Sequence, residues 1–338
     1  MKDRRIRLSE RGGDRATGYT MSAKVVRWGD RLLCTWIDAT RQNRWAMVDV
    51  KTGARLSEGC LGEPGLDNHC GAALAVAPSG DVHAVIGGHH SSLAYYRWDP
   101  VKEETPSREA VIEAAATYPS LVCDAQGTLH LTFRCRHDDF WTLDYTRRPL
   151  GGSWSTPQPL VRAAKRGYIY WTNALATGPR GIVHLVFANT RPRAGGSRYH
   201  GASHLLSEDG GLSWRQFGGG PLSLPDAVTD LALIEGPDIP DDRIEPPDYE
   251  EAHAAPGPLN YNYLQMLLSN PVVDDEGSPW VIVHNGLTGG ASLYRVTETG
   301  WSGAPLLDAV HRVYPGWRIH QQSTLARHAD GTVDVVLM

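Results

Sequence analysis

The sequence has few cysteines, and their arrangement excludes two common ways of building a site or a scaffold. There are 5 cysteines, an odd number, with no Cys-x-x-Cys pair and none after Cys135. A zinc site made of paired cysteines is therefore excluded, as is a dense disulfide framework at this chain length, and at least one thiol is expected to be free. We expect no cofactor and no metal in the chemistry, and a structural metal ion is left open.

The sequence also lacks long apolar runs and a surplus of basic residues. No apolar run reaches the roughly 18 residues of a membrane-spanning helix, so no membrane partner is expected. The first residues are polar and basic without an apolar signal core. We therefore expect a secreted or periplasmic protein if a signal segment has been removed, and a cytoplasmic one otherwise. The net charge of −5 argues against a nucleic-acid partner, although a local basic cleft could still bind an anionic sugar.

Phenylalanine is scarce, whereas the larger amphipathic aromatics are abundant. The chain has 4 Phe against 11 Trp and 13 Tyr. Trp and Tyr combine an apolar face with a polar group, which suits the apolar C–H faces and hydroxyls of a sugar. Short β-strands favour the same residues, so composition alone leaves the two interpretations open.

Short alternating runs rich in Val, Leu, Thr and aromatics, bounded by Gly, Pro, Asp and Asn, predict an all-β chain. A turn glycine followed by a β-rich run recurs about every 50 residues, with one double gap, at Gly29, Gly80, Gly127, Gly181, Gly277 and Gly331. This period is typical of four-stranded propeller blades. We therefore predict a single domain over residues 1–338, a seven-bladed β-propeller of four-stranded antiparallel blades. Residues Arg5 to Leu8 are expected to supply a strand to the last blade, which would otherwise expose an edge.

One stretch fits the Asp-box pattern of sialidase-type propellers, with Ser207, Asp209, Gly211, Ser213 and Trp214 at the pattern positions. Asp and Ser side chains cap a tight turn, glycine permits a positive φ, and Trp anchors the hairpin. The pattern marks a fold, so we assign Asp209 no catalytic role.

Five polar segments stand at predicted strand ends or turns, where propellers carry their site residues. They are Asp67–Cys70, Gly87–Ser92, Thr117–Ser120, Phe133–His137 and Arg166–Trp171. In this order, with twenty residues from His69 to His89 and sixteen from Tyr118 to Arg134, and with the Asp box after them, the chain resembles the ulvan lyases, propeller polysaccharide lyases with BNR/Asp-box repeats.

The resemblance extends from about residue 67 to residue 214. It implies a seven-bladed propeller that cleaves a glucuronate- or iduronate-containing chain by β-elimination on the C4 side of the uronate. It implies that His69, Tyr118 and Arg134 form the catalytic group. His89 and Tyr168 are implied as substrate contacts.

The chemistry of elimination calls for the same residue types. The uronate carboxylate must be neutralised before the C5 proton leaves, and a planar guanidinium such as that of Arg134 does this well. Neutral His69 can take the C5 proton near neutral pH. Tyr118 can protonate the leaving oxygen, or act as the base if nearby cations lower its pKa. Which of the two is base and which is acid is left open.

Further substrate-binding candidates are Asn68, His90 and Arg193. His89 and His90 should face opposite sides of an extended strand, so one of them lines the site; spacing favours His89, and His90 competes. The segment containing Arg193 departs from the family, which often has His there. By contrast, His83, His130 and His184 recur at one blade position and are assigned a structural role.

The expected partner is an anionic uronate-containing polysaccharide or oligosaccharide, of the ulvan or rhamnosyl-glucuronate type. Two other functions are compatible with the sequence. One is a glycoside hydrolase acting on rhamnosyl-glucuronate, although the usual pair of acidic residues is not evident. The other is a carbohydrate-binding propeller without catalysis. Fold alone does not choose among these functions.

Overall fold

The chain is described as a computed structural model, covering residues 5–19, 22–99, 102, 105–163, 171–193, 196–227, 231–235, 266–285, 290–317, 319 and 323–337, without the side chains of 189–200. It is all-β, as predicted, with a single short α-helix among these residues. The contacts divide it into two compact units, residues 1–136 with 143–159, and residues 137–142 with 160–338.

The first unit begins with a four-stranded antiparallel sheet in the order β1-β2-β3-β4, and β5 to β10 follow as a second run of strands hydrogen-bonded in sequence order. The bounds are β1 Val25–Trp28, β2 Arg31–Ile37, β3 Asn43–Asp49, β4 Arg55–Leu61, β5 Ala73–Val76, β6 Val82–Gly87, β7 His89–Trp98, β8 Ser107–Cys123, β9 Leu129–His137 and β10 Phe140–Arg148.

The unusually long β8 belongs to two groups of strands. Its first part pairs with β7 and its second part with β9. The register breaks between Thr117 and Ser120, so Tyr118 and Pro119 stand where the strand changes partner. The polar Thr117–Ser120 segment therefore lies at an irregularity of β8, which we call the bend of β8, where Tyr118 has a φ of 60°, rather than within a regular ladder.

Strand β6 is buried on both faces, which explains its nearly continuous apolar sequence. Val82, Ala84 and Ile86 pack with residues of the first sheet such as Leu33 and Met47. On the other face, Val85 belongs to a core shared with the second part of β8 and with β9. A strand buried between two layers needs apolar side chains at both its odd-numbered and its even-numbered positions, since these face opposite sides of the sheet. These two cores hold the sheet ends that carry the polar segments.

The second unit consists of short sheets. Strand β11 pairs in parallel with β15; the orders β12-β13-β14-β16 and β17-β19-β20-β21 form two sheets, with β18 also on β19; and β22 pairs with β23. The bounds are β11 Gln158–Arg162, β12 Asn173–Thr177, β13 Val183–Arg193, β14 Gly196–Ser207, β15 Asp226–Ala227, β16 Leu233–Glu235, β17 Met266–Leu268, β18 Val272–Val273, β19 Pro279–Asn285, β20 Gly290–Thr297, β21 Gly300–Pro305, β22 Thr324–Arg327, β23 Val333–Val336 and helix α1 Leu307–Val313.

The recurring glycines are confirmed as turn residues. All six predicted turn glycines have a positive φ, between 56° and 90°, and each stands two residues before a strand: β2, β6, β9, β13, β19 or β23. This backbone region is open to glycine at little cost. The strand expected over Arg5 to Leu8 is wrong, since these residues lie outside every strand. None of the 5 cysteines forms a disulfide bond.

The Asp box folds as its pattern predicts. The Asp209 carboxylate accepts hydrogen bonds from the backbone of Leu212 and Ser213 and from the Ser213 hydroxyl, at 3.0, 2.9 and 2.6 Å, and Trp214 is buried. Burial alone would raise the pKa of Asp209, but the hydrogen bonds outweigh it and lower the pKa to about 2. The carboxylate is fully used in the turn, which supports the structural role.

The recurrent histidines bridge neighbouring strands. His83 Nδ1 lies 2.7 Å from the Tyr95 hydroxyl, and His130 Nδ1 lies 2.7 Å from that of Tyr145. In the second unit a histidine replaces the tyrosine, and His184 Nδ1 lies 3.0 Å from His204 Nε2. These contacts fit the structural role assigned from the sequence.

The His184–His204 pair should make the fold sensitive to acid. Burial lowers the pKa of His184 to about 4 and that of His204 well below its usual value of 6.5. Below pH 6.5 the unfolded chain takes up protons that the folded chain refuses, so stability falls as pH falls, by about 1.4 kcal/mol per pH unit for each histidine. Urea unfolding at pH 7 and pH 5 should show a smaller acid loss in His204→Gln than in the parent. An unchanged acid loss in His204→Gln would contradict this account.

Candidate active site

The Asp67–Cys70 segment forms a tight turn between β4 and β5. Asp67 caps a short 3₁₀ turn over Asn68–Cys70, and its carboxylate accepts the backbone N–H of His69 at 2.8 Å. Asp at the start of such a turn satisfies a backbone donor that would otherwise lack a partner. The cap fixes the direction in which the His69 side chain leaves the backbone.

The same carboxylate joins two histidines. Its Oδ1 lies 2.9 Å from His69 Nδ1, and its Oδ2 lies 2.6 Å from His89 Nδ1. The two imidazole rings stack with centroids 4.1 Å apart. Because an ionised carboxylate only accepts hydrogen bonds, each Nδ1 carries the proton, which leaves Nε2 of each ring as an acceptor. This is the tautomer that a general base needs.

Tyr118 and Arg134 form the second half of the site. Tyr118 stands at the bend of β8 with a φ of 60°, and Arg134 in β9 lies opposite Thr117. The Arg134 guanidinium carbon is 4.7 Å from the centre of the Tyr118 ring, a favourable cation–π distance. Both residues are buried, at 3% and 1% exposure, so this cation–π pair lies below the protein surface.

The two halves meet at His69. Its ring centroid lies 5.5 Å from that of Tyr118, and its side chain keeps 22% exposure. The three residues predicted as catalytic, His69, Tyr118 and Arg134, therefore share one site with His89. The accessible groups are the imidazoles, while Tyr118 and Arg134 lie deeper.

The charges around His69 favour its neutral form. Burial lowers its pKa below 6.5, and electrostatic interactions with His89 and Arg134 act in the same direction, against the raising effect of Asp67. Burial also lowers the pKa of His90, helped by Arg134 and, among other neighbours, Arg136. Burial alone would raise the pKa of Asp67, but the hydrogen bonds from His69 and the nearby histidine charges outweigh it, so that pKa is lowered.

His90 behaves differently from the expected alternation. It has a φ of 59°, so the chain is not extended there, and the two rings of His89 and His90 lie 4.8 Å apart instead of on opposite faces. The expectation that only one of them lines the site assumed that the two side chains face opposite sides of a strand. That assumption is wrong here, because alternation requires extended backbone at both residues.

The other substrate-binding candidates differ in their surroundings. Both ends of the Asn68 amide are engaged: Oδ1 accepts from the Tyr19 hydroxyl at 3.2 Å, and Nδ2 donates to Asp14 at 3.0 Å. Tyr168 lies outside the described residues. Arg193 lies in β13, but its side chain is outside the described part of the chain, so both stay predictions.

Sequence reasoning missed three residues at this site. Asp67 begins the polar Asp67–Cys70 segment but received no role; its position at the start of a turn, two residues before a histidine, is a cap signal that could have pointed to it. Arg136 follows Arg134 on the same face of β9 and is exposed. Tyr19 stacks on His69 with ring centroids 5.0 Å apart, and no pattern in the sequence marks it.

The carboxylate–histidine cluster has spacing that a cation could use. One ligand atom each from Asp67, His69 and His89 lies within 4.8 Å of the others. In this structure the same atoms are joined by hydrogen bonds, with both Nδ1–H groups directed at the carboxylate. We therefore treat the three residues as a hydrogen-bonded cluster rather than as metal ligands. The expected absence of metal chemistry stays a prediction.

Comparison with known proteins points to one family. The sequence model of BNR repeat-containing family members matches residues 23–306. No curated protein matches the sequence. Among the described residues, no helix is long and apolar enough to cross a membrane.

Solved structures share the fold at low sequence identity. An ulvan lyase of polysaccharide lyase family PL25, bound to a GlcA(1-4)Rha3S chain, is 12% identical with a TM-score of 0.69, over 98% of this chain and 82% of that one. The polysaccharide lyase Uly1 is 12% identical, with a TM-score of 0.56 over 100% and 85% of the two chains. An α-L-arabinofuranosidase from Fusarium graminearum is also 12% identical, with a TM-score of 0.52 over 97% and 94%.

Proposed function

We propose, from the premise that the chain belongs to the BNR repeat-containing family, that it is a polysaccharide lyase. The proposed reaction is β-elimination at C4 of a glucuronate or iduronate residue, in an ulvan-like or rhamnosyl-glucuronate chain. The product would carry an unsaturated uronate end. The similarity to the ulvan lyase supports the choice of substrate class, because that protein is bound to a glucuronate–rhamnose chain.

One observation carries the proposal: a histidine with a free Nε2 acceptor lies beside a tyrosine that rests on a guanidinium. The Asp67 carboxylate fixes the His69 tautomer at 2.9 Å, and the His69 and Tyr118 rings lie 5.5 Å apart. Elimination needs a base for the C5 proton, an acid for the leaving oxygen and a cation near the carboxylate. All three types occur in this one cluster.

We assign the base to His69 because its side chain keeps 22% exposure, whereas Tyr118 is 3% exposed. In the proposed step, His69 Nε2 takes the C5 proton, and the C5–H electron pair becomes the C4=C5 double bond. The C4–O bond breaks with its electrons on oxygen, and the Tyr118 phenol protonates that oxygen. His89 and His90 are proposed to bind the substrate beside His69.

Two arginines supply positive charge to this step. The Arg134 guanidinium, 4.7 Å from the centre of the Tyr118 ring, reduces the cost of negative charge on the phenol oxygen when it gives up its proton. Arg136 is exposed on the same face of β9, so its guanidinium is the one that a substrate carboxylate reaches first. Preorganised charge of this kind is usually the largest contribution to catalysis.

A glycoside hydrolase is the second candidate, since the arabinofuranosidase shares the fold. Hydrolysis of a glycoside typically uses two carboxyl groups that flank the bond. Within the described cluster around His69, the carboxylate is that of Asp67, and both its oxygens are bonded to histidines. This arrangement favours elimination.

For the architecture we propose the seven-bladed propeller over residues 1–338 as a single domain. The four-stranded antiparallel sheets β1–β4 and β12-β13-β14-β16 support it, as does the regular placement of the turn glycines two residues before a strand.

The rate should depend on pH through His69. A base must be neutral, and burial lowers the pKa of His69 below 6.5, with Asp67, His89 and Arg134 as the charged groups facing it. As pH falls through that lowered pKa, His69 gains a proton and kcat/KM is lost. We expect the acidic limb of the kcat/KM profile to lie below pH 6.5; a limb above pH 7 would contradict His69 as the base.

The proposed function is tested by incubating the protein with a panel of uronate polysaccharides, including ulvan and rhamnosyl-glucuronate glycans. Elimination creates a conjugated unsaturated uronate, so ultraviolet absorbance should rise in parallel with new reducing ends. New reducing ends without absorbance would support the hydrolase. Binding without either signal would support a carbohydrate-binding protein.

A further inference from the structure

The segment Asp14–Tyr19, which precedes the first strand, lies against the proposed catalytic residues. The ring of Tyr19 lies 5.0 Å from that of His69, at an interplanar angle of 27°, and 4.9 Å from that of Tyr118, at 43°. These are stacking and tilted contacts within the favourable range for aromatic pairs. One side chain therefore contacts both the proposed base and the proposed acid.

Tyr19 is held in this place from its hydroxyl end. Its oxygen accepts from the Arg15 guanidinium at 3.0 Å and donates to Asn68 Oδ1 at 3.2 Å. Asn68 in turn donates to Asp14 at 3.0 Å. The network ties the phenol to the residue that directly precedes His69, so the position of the ring and that of the His69 turn depend on each other.

The chain just beyond Tyr19 is fastened to the same two segments. The Ser22 hydroxyl donates to the backbone carbonyl of Pro119, which follows Tyr118. The Lys24 ammonium donates to the carbonyl of Ala72, three residues after His69. The segment that follows the His69 turn and the bend of β8 are thus both hydrogen-bonded to residues that closely follow Tyr19 in the sequence.

Among the described residues, four of the eight non-glycine residues with a positive φ belong to this place. Arg15, Tyr19, His90 and Tyr118 all have a positive φ, between 51° and 66°, in a region that residues other than glycine seldom adopt. Such residues persist where surrounding contacts over-determine them, and they cluster at functional sites. The strain at Tyr19 and at Tyr118 falls on two residues in direct contact, which indicates that their mutual placement is held by the fold.

We propose that Tyr19 is a positioning residue of the site, which sets the distance between His69 and Tyr118 and shields His69 from water. This role rests on the proposed lyase function and extends it to a segment to which the sequence patterns assign nothing. Proton transfers at two points of one sugar ring require both side chains at fixed places, and a displacement of about 1 Å can cost 10²-fold in rate.

The shielding has its own signature. His69 faces the charged or titratable groups of Asp67, His89, Arg134, Tyr19 and Tyr118. Burial lowers the pKa of His69, and removing the Tyr19 ring would let water reach the imidazole. The pKa of His69 should then rise toward 6.5, and the acidic limb of the kcat/KM profile should move to higher pH. Loss of stability alone would not move either quantity in the folded protein.

The test compares Tyr19→Ala with Tyr19→Phe in the full chain. We expect Tyr19→Ala to lower kcat by about 10- to 100-fold, with a small change in KM, and to raise the His69 pKa measured by NMR titration of its ring protons. Tyr19→Phe keeps the ring and loses one hydrogen-bonded hydroxyl, so its kcat should fall about 5-fold or less. Tyr314→Ala, which removes an exposed tyrosine stacked on Trp317, should match the parent.

If Tyr19→Ala does not fold, as judged by circular dichroism, Tyr19→Leu replaces it, since it fills space without an aromatic ring. A parent-like kcat together with an unchanged His69 pKa would overturn the proposal. The NMR titration needs no substrate, so it separates this inference from the lyase itself. A parent protein inactive on every uronate chain, with the His69 pKa still raised in Tyr19→Ala, would remove the lyase function and keep the role of Tyr19 in shielding His69.

Discussion

Replacing Tyr118 by phenylalanine is expected to lower kcat by about 10²- to 10⁴-fold, the usual effect of removing a general acid or base. The substitution deletes one oxygen and keeps the ring on the Arg134 guanidinium, 4.7 Å away, so the cation–π contact and the buried packing persist. KM should change little, because the phenol acts on the leaving oxygen in the transition state. Initial rates from ultraviolet absorbance on a uronate polysaccharide measure the effect.

Tyr96→Phe is the matched control. Tyr96 is a buried tyrosine of β7 in the same unit and packs in the core between the first two groups of strands. The same chemical deletion at that position should leave kcat near the parent value. If Tyr118→Phe keeps more than about a tenth of the parent kcat, Tyr118 is not the proton donor.

Replacing Asp67 by asparagine is expected to have the second large effect, also about 10²- to 10⁴-fold on kcat. The carboxylate accepts from His69 Nδ1 at 2.9 Å and from His89 Nδ1 at 2.6 Å. The amide oxygen stays beside His69, because the oxygen at that position also accepts the His69 backbone N–H at 2.8 Å, so the amide nitrogen faces His89 Nδ1 and favours the His89 tautomer with the proton on Nε2. His69 keeps its tautomer but loses the negative charge that stabilises the imidazolium formed when it takes the C5 proton.

Asp30→Asn provides the comparison, since Asp30 is an exposed residue paired with Lys51 at 2.7 Å. It should retain the parent kcat. The NMR chemical shifts of the His69 and His89 ring nitrogens report the tautomers directly. Parent-like turnover in Asp67→Asn would contradict His69 as a base supported by the Asp67 carboxylate.

The sequence could predict the elements that local chemistry determines. Turn glycines such as Gly80 and Gly127 mark their strands because only glycine adopts their positive φ at little cost. The Asp box follows from one carboxylate that satisfies the backbone donors of a single turn. Arg134 in an apolar strand was recognisable because a buried guanidinium needs a partner, and the structure places it against Tyr118.

The misses involve contacts between distant parts of the chain. Tyr19 reaches His69 across 50 residues, and no local pattern records such a contact. The strand expected at Arg5 to Leu8 came from the need to cover an edge, which no residue in that segment specifies. The alternation of His89 and His90 failed because His90 adopts a positive φ, a choice set by its tertiary surroundings rather than by its own preference.

Asp67 lies between these cases. Its role as a cap could be read from its position before the turn, since it accepts the His69 backbone N–H at 2.8 Å. Its second role, the bond to His89, depends on the meeting of the β4–β5 turn with the start of β7. A residue that serves local structure and a distant partner at once is seen in full only in three dimensions.

The most direct test of the central claim is the mass of the product released from a defined rhamnosyl-glucuronate oligosaccharide. Elimination splits the chain without adding water, so one fragment should carry an unsaturated uronate and be one water lighter than the hydrolysis fragment. We predict this lighter fragment from the parent protein and its loss in Tyr118→Phe. Fragments that each carry the full mass of a hydrolysed sugar would contradict elimination and assign the site to a hydrolase.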